Sequence, residues 1–141
     1  MKEDYLISIK GTMEQDGEID TIRLMTRGSF LRKNDSYFIS YKETEATGYE
    51  GNVTTVKAEG PGKVSMLRHG SMPSQLVIER GRRHVCHYDN GYGVLSLGVA
   101  ADEIKNLLTD AGGRLTFSYM LDSGDTQISR NEVKITVKEA D

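Results

Sequence analysis

Arg68, Glu43, Tyr41 and Tyr119 are the residues of this 141-residue chain whose types and spacing could converge on chemistry. Arg68 alternates with Val64 and Met66, so the three share one strand face. Glu43 is in phase with Tyr37, Ile39 and Tyr41, and Tyr119 with Leu115 and Phe117. If these faces point to a common interior, it receives a guanidinium, a carboxylate and phenols. Two readings follow. In the first, a small polar or anionic ligand is held through Arg68, with the tyrosines as walls and hydrogen-bond donors. In the second, Arg68 and Glu43 form an internal ion pair that closes one end of a barrel. Pairing is expected either way, because a buried charge without a partner is costly.

Other groupings fall short of a site. His84 and Cys86 share a strand face, His87 does not, and His69 has to arrive from elsewhere. Structural zinc shows clearer paired ligand spacing, so no metal is expected. Cys86 as a nucleophile needs a base in reach and a lowered pKa, and the sequence supplies neither. The chain is therefore not expected to be an enzyme. Arg80, Arg82 and Arg83 flank Gly81, with Lys63, Arg68 and His69 nearby, and Tyr49, Tyr88 and Tyr92 lie in or near loops. Basic residues interleaved with aromatics suit single-stranded nucleic acid. The net charge of −3 opposes that reading, and the arginines read as a solvated hairpin tip. Gly91-Tyr92-Gly93 leads into a strand, without the helix that phosphate loops use, and no cofactor is expected.

The elements that must position these residues are strands. The stretch Ile19 to Glu45 reads as two long alternating strands around a turn at Lys33-Asn34-Asp35-Ser36. Ile22, Leu24, Thr26, Gly28 and Phe30 fall on one face of the first; Met25 and Leu31 break the polarity of the other. Gly28 in mid-strand suggests a bulge or a sharp barrel bend. Turn signals recur at Glu14–Gly17, Thr47–Asn52, Gly60–Gly62, Gly70–Pro73, Arg80–Arg82, Asp89–Gly91 and Asp122–Asp125. Ala100 to Leu108 stays open. Ile104, Leu107 and Leu108 have helical spacing with Asp102 as a possible cap, and a bent continuation of the preceding strand fits equally.

Hydrophobic content of 37% with 28% charged residues is ordinary for a soluble globular chain. The opening MKEDYLISIK carries no long apolar run after its charges, and no stretch approaches a membrane helix. The single cysteine forms no internal disulfide. Together these predict a cytoplasmic protein without a membrane partner.

The order of Tyr41-Lys42-Glu43, Thr54-Thr55-Val56-Lys57, Leu67-Arg68-His69-Gly70, Tyr92-Gly93 and Tyr119-Met120-Leu121 resembles the YwiB-like proteins. These are small uncharacterised bacterial proteins with a calycin-like β-barrel. The resemblance runs from Tyr5 to Val137. It departs at Tyr88–Gly93, where family members often carry Tyr-x-Thr-Pro-Tyr-Gly and this chain lacks the Thr-Pro. It implies that Ala100 to Leu108 continues as a strand, and it implies no established activity.

The expectation is an all-β chain forming one domain over residues 1–141, an antiparallel up-and-down barrel of about eight to ten strands, calycin- or lipocalin-like. Its expected role is non-enzymatic binding of a small molecule in the lumen by Arg68, Glu43, Tyr41 and Tyr119, with no nucleic-acid partner. The alternative is an interaction or scaffold protein whose barrel is filled by side chains.

Overall fold

The computed structural model describes residues 3–89 and 92–140, and of Tyr88 and Asp89 the backbone only. Ten strands follow one another: β1 (Tyr5–Gln15), β2 (Glu18–Lys33), β3 (Ser36–Lys42), β4 (Val53–Glu59), β5 (Lys63–His69), β6 (Ser74–Glu79), β7 (Arg83–Asp89), β8 (Val94–Thr109), β9 (Gly112–Asp122) and β10 (Gln127–Glu139). Each pairs antiparallel with the next, and β10 returns to β1 to close the barrel. Closure removes the edge strands that an open sheet would leave unpaired. Among the described residues the other element is a 3-10 turn, Glu45–Thr47. The Asn90-Gly91 part of the expected hairpin lies outside the described residues.

Period-2 parity becomes the inside of the barrel. Ile7, Ile39, Val56, Val64, Ile78, Val99, Leu115, Phe117 and Ile135 are fully buried. Burying each such side chain contributes roughly 1.5–3 kcal/mol. Met25 and Leu31, the exceptions on β2, are exposed. Asn34 and Asp35 both adopt positive φ, at 53° and 64°, as the β2–β3 turn requires.

Gly28 marks a transfer of partners. Tyr5 of β1 pairs with it, and from Gly28 onward β2 pairs with β3, starting at Tyr41. The register runs through Gly28 without the bulge that was one of the two expectations there. A Cβ on Gly28 would overlap the Ser40 carbonyl oxygen and Ile7 Cδ1.

The open segment resolves as strand. β8 runs unbroken in space to Thr109, but its register with β9 shifts between Ala101 and Glu103. Asp102 is the extra residue of a β-bulge, and not a helix cap. Its carboxylate accepts from Ser118 Oγ at 3.3 Å and Arg130 Nη2 at 2.5 Å. The bulge flips parity: Val99 is buried before it, and Ile104 and Leu108 after it, while Leu107 is 65% exposed. That flip produced the apparent helical spacing.

The arginines around Gly81 are exposed, as expected of a hairpin tip, and two of them also bind neighbouring chain. Arg80 donates from Nη2 to the Ile104 carbonyl and from Nε to the Pro61 carbonyl at 3.3 Å. With Asn106 Nδ2 on the Gly60 carbonyl at 3.0 Å, it ties the β4–β5 turn to the lower half of β8. Arg83 reaches across Gly98, where any side chain would displace it, and makes a bidentate pair with Asp122 at 2.5 and 3.0 Å. That guanidinium, with the Gly124 N–H, holds the Asp122 carboxyl below its usual range.

One junction is thin. Among the described residues β6 and β7 share one ladder pair, Ser74 with Tyr88, plus an isolated bridge between Glu79 and Arg82. Between them the Val77 N–H donates to the sulfur of buried Cys86 at 3.4 Å in place of a carbonyl.

Candidate ligand-binding site at the barrel mouth

The chain's longest connection, between β3 and β4, hangs over one end of the barrel. Its conformation is set locally. Thr44 caps the 3-10 turn by accepting from Ala46 N at 3.2 Å, and Gly48 closes it at φ 83°. Asn52 then fastens the loop. It is 1% exposed, donates to the Tyr49 carbonyl at 2.9 Å, and accepts from Met72 N at 3.0 Å. One side-chain amide thus joins the β3–β4 and β5–β6 connections.

Beneath this cover lies a cavity of about 360 Å3. Arg68, Glu43 and Tyr119 line it, with Thr54, Met66, Leu76, Asn131 and Val133; Thr12, Met13, Asp20 and Ile22 of the β1–β2 hairpin contribute one wall. Three of the four residues singled out by parity therefore meet at one space. Tyr41 is buried in the adjoining core and does not line it. Burial, then the nearby Glu43 carboxylate, pushes the Tyr41 phenol well above its ordinary range, so it stays a neutral hydroxyl.

Arg68 is 6% exposed, and its surroundings fix it in place. Nε donates to the Met72 carbonyl at 2.6 Å, and the guanidinium lies 3.7 Å from the centroid of the Tyr49 ring. A planar cation over an aromatic face gains from the ring quadrupole, more so when water is excluded. Glu43 sits beside Thr54, the cross-strand neighbour of Arg68. Its Oε2 accepts from Thr54 Oγ1 at 2.7 Å, while Oε1 is buried and accepts from nothing among the described residues. Among the described residues, Arg68 and Glu43 do not form a salt bridge with each other. The expected internal pair is replaced by separate anchors, because the Met72 carbonyl and the Tyr49 ring occupy Arg68.

Parity of β4 places Thr54 inward with Val56 and Ala58, a signal that sequence reading left unused. Asn131 alternates with Val133 and Ile135 in the same way, and it donates to Ser129 Oγ at 3.0 Å. Tyr49 was read as a loop aromatic, and no local pattern announces that it covers an arginine. His84 and Cys86 are not brought together as ligands. His84 Nε2 meets Glu79 Oε1 at 2.8 Å, which lowers the Glu79 pKa, and Cys86 faces Val77.

The fold and this mouth define a class: a ten-stranded, up-and-down antiparallel barrel with one lined cavity under a loop cover. Residues 7–135 match the family model described as a domain of unknown function, DUF1934, and the chain belongs to that family. It is similar to the uncharacterised β-barrel protein YwiB of Bacillus subtilis (strain 168), with 26% identity over 138 residues covering 96% of this chain and 95% of that protein. The crystal structure of the ywiB protein from Bacillus subtilis superposes with a TM-score of 0.83 at 22% identity, covering 97% of this chain and 92% of that one. Among the described residues no helix is long and apolar enough to cross a membrane.

Proposed function

We propose that the chain is a cytoplasmic, non-enzymatic protein that binds one small molecule in the cavity at its barrel mouth, without nucleic-acid or membrane partners. The observation that carries this reading is a space of about 360 Å3 in contact with both a buried guanidinium and a buried carboxylate oxygen. That volume falls within the usual range for small-molecule sites, and apolar walls with a few converging polar groups are their usual make-up. The missing Arg68–Glu43 salt bridge supports it further, since a purely structural pair would have closed that distance.

Native mass spectrometry of protein purified from its own host is expected to reveal a retained small molecule. Leu76→Trp, which fills the cavity from a buried wall position, is expected to abolish it. Protein that emerges empty and gains stability from Leu76→Trp would refute the reading. That outcome would favour a scaffold protein, for which the filled interior below the mouth and exposed Ile19 and Met25 on β2 speak.

A further inference from the structure

We infer that the ligand presents a hydrogen-bond donor, an ammonium in particular, to Glu43 Oε1, and an apolar body to the walls of the cavity. This rests on the reading of the mouth as a small-molecule site and narrows its chemistry away from an anion. A carboxylate oxygen is an obligate acceptor, and burying one with no donor is among the costlier arrangements a protein retains. Oε2 is satisfied by Thr54, and Oε1 is not. Its natural partner inside the protein would be Arg68, but the Arg68 Nε is committed to the Met72 carbonyl and Tyr49 covers the guanidinium face. The donor must therefore arrive with the ligand.

The charge of the lining points the same way. Asp20 and Glu43 line the cavity with Arg68, while Glu132 is exposed on the outer face of β10 and meets Lys134 at 3.8 Å. Two carboxylates against one guanidinium favour an ammonium over an anion in this cavity. Much of the remaining contact surface is apolar, from Met66, Leu76, Tyr119 and Val133, with Thr12, Ser74 and Asn131 among the neutral polar groups. A donor head on an apolar body matches both parts of the site.

The test uses three probes of equal length on the full chain: hexylammonium, hexanol and hexanoate, followed by titration calorimetry and amide chemical shifts. Hexylammonium is expected to bind best, with shifts at Glu43, Thr54 and Tyr119, and hexanoate worst, by on the order of ten-fold. Glu43→Gln is expected to remove most of that preference by weakening hexylammonium more than hexanol. Hexanoate binding best, or a ranking that Glu43→Gln does not alter, overturns the donor assignment and leaves lumen binding standing. Failure of all three probes to bind the folded protein overturns the assignment and the small-molecule reading together.

Discussion

Gly28→Val is expected to destabilise the barrel by about 3 kcal/mol or more, and to lower Tm by roughly 10 °C. The cause is steric. A Cβ at this position overlaps the carbonyl oxygen of Ser40 and the Cδ1 of Ile7. The first belongs to the neighbouring backbone, held in register by the β2–β3 ladder, and the second is a fully buried core side chain. Neither can move aside without opening the junction where β2 changes partner. Gly11→Val is the control, because a Cβ there meets no atom within 4 Å. It is expected to cost less than about 1 kcal/mol. Urea denaturation of both variants checks the contrast, and a Gly28→Val midpoint close to that of Gly11→Val would contradict it.

The second large effect concerns Arg68 and Glu43, and it is asymmetric. Arg68→Met loses the 2.6 Å bond to the Met72 carbonyl and the stacking on Tyr49. A loss of about 2–4 kcal/mol is expected, since a charged hydrogen bond and a desolvated cation–π contact disappear together. Glu43→Gln is expected to lie within about 1 kcal/mol of the parent, because the amide carbonyl keeps the Thr54 bond and the orphaned oxygen is exchanged for a donor. Coupling in the double-mutant cycle should stay below about 1 kcal/mol, whereas breaking a buried ion pair costs about 3–5 kcal/mol for either partner. Equal, large single-mutant losses with strong coupling would mean that the two charges do pair in solution.

Much of this site was readable from strand parity alone. Arg68 follows Val64 and Met66 in the β4–β5 ladder, and Tyr119 follows Leu115 and Phe117 in the β9–β10 ladder, with no irregularity over those residues, so counting by two delivers each to the interior. Glu43 lies just past the end of β3, and parity still carries to it across a single residue. Counting fails where the count itself changes. The bulge at Asp102 adds one residue, and every later side chain of β8 reverses its face. Contacts made by chain returning from elsewhere are equally invisible. Tyr49 over Arg68, Asn52 between two loops and Arg80 on the Ile104 carbonyl are each fixed by tertiary placement that no short window of sequence encodes. Tyr41 shows the opposite limit. Its parity is right and its side chain is buried, yet depth along the strand puts it below the cavity.

The thin junction between β6 and β7 gives the barrel a zip line. Elsewhere, strands separate only by breaking long runs of paired residues, but here, among the described residues, one ladder pair, a terminal bridge, an amide–sulfur contact and the Glu79–His84 contact hold the wall. A sulfur acceptor is weaker than a carbonyl. Parting the wall along this line uncovers Cys86 while the remaining ladders persist, a partial opening whose free energy is below that of global unfolding. Native-state thiol labelling of Cys86 should therefore report an opening that mild urea hardly accelerates, while the slowest-exchanging amides of β9 and β10 follow the full denaturant dependence. Labelling with that full dependence would mean that the wall parts only when the whole barrel does.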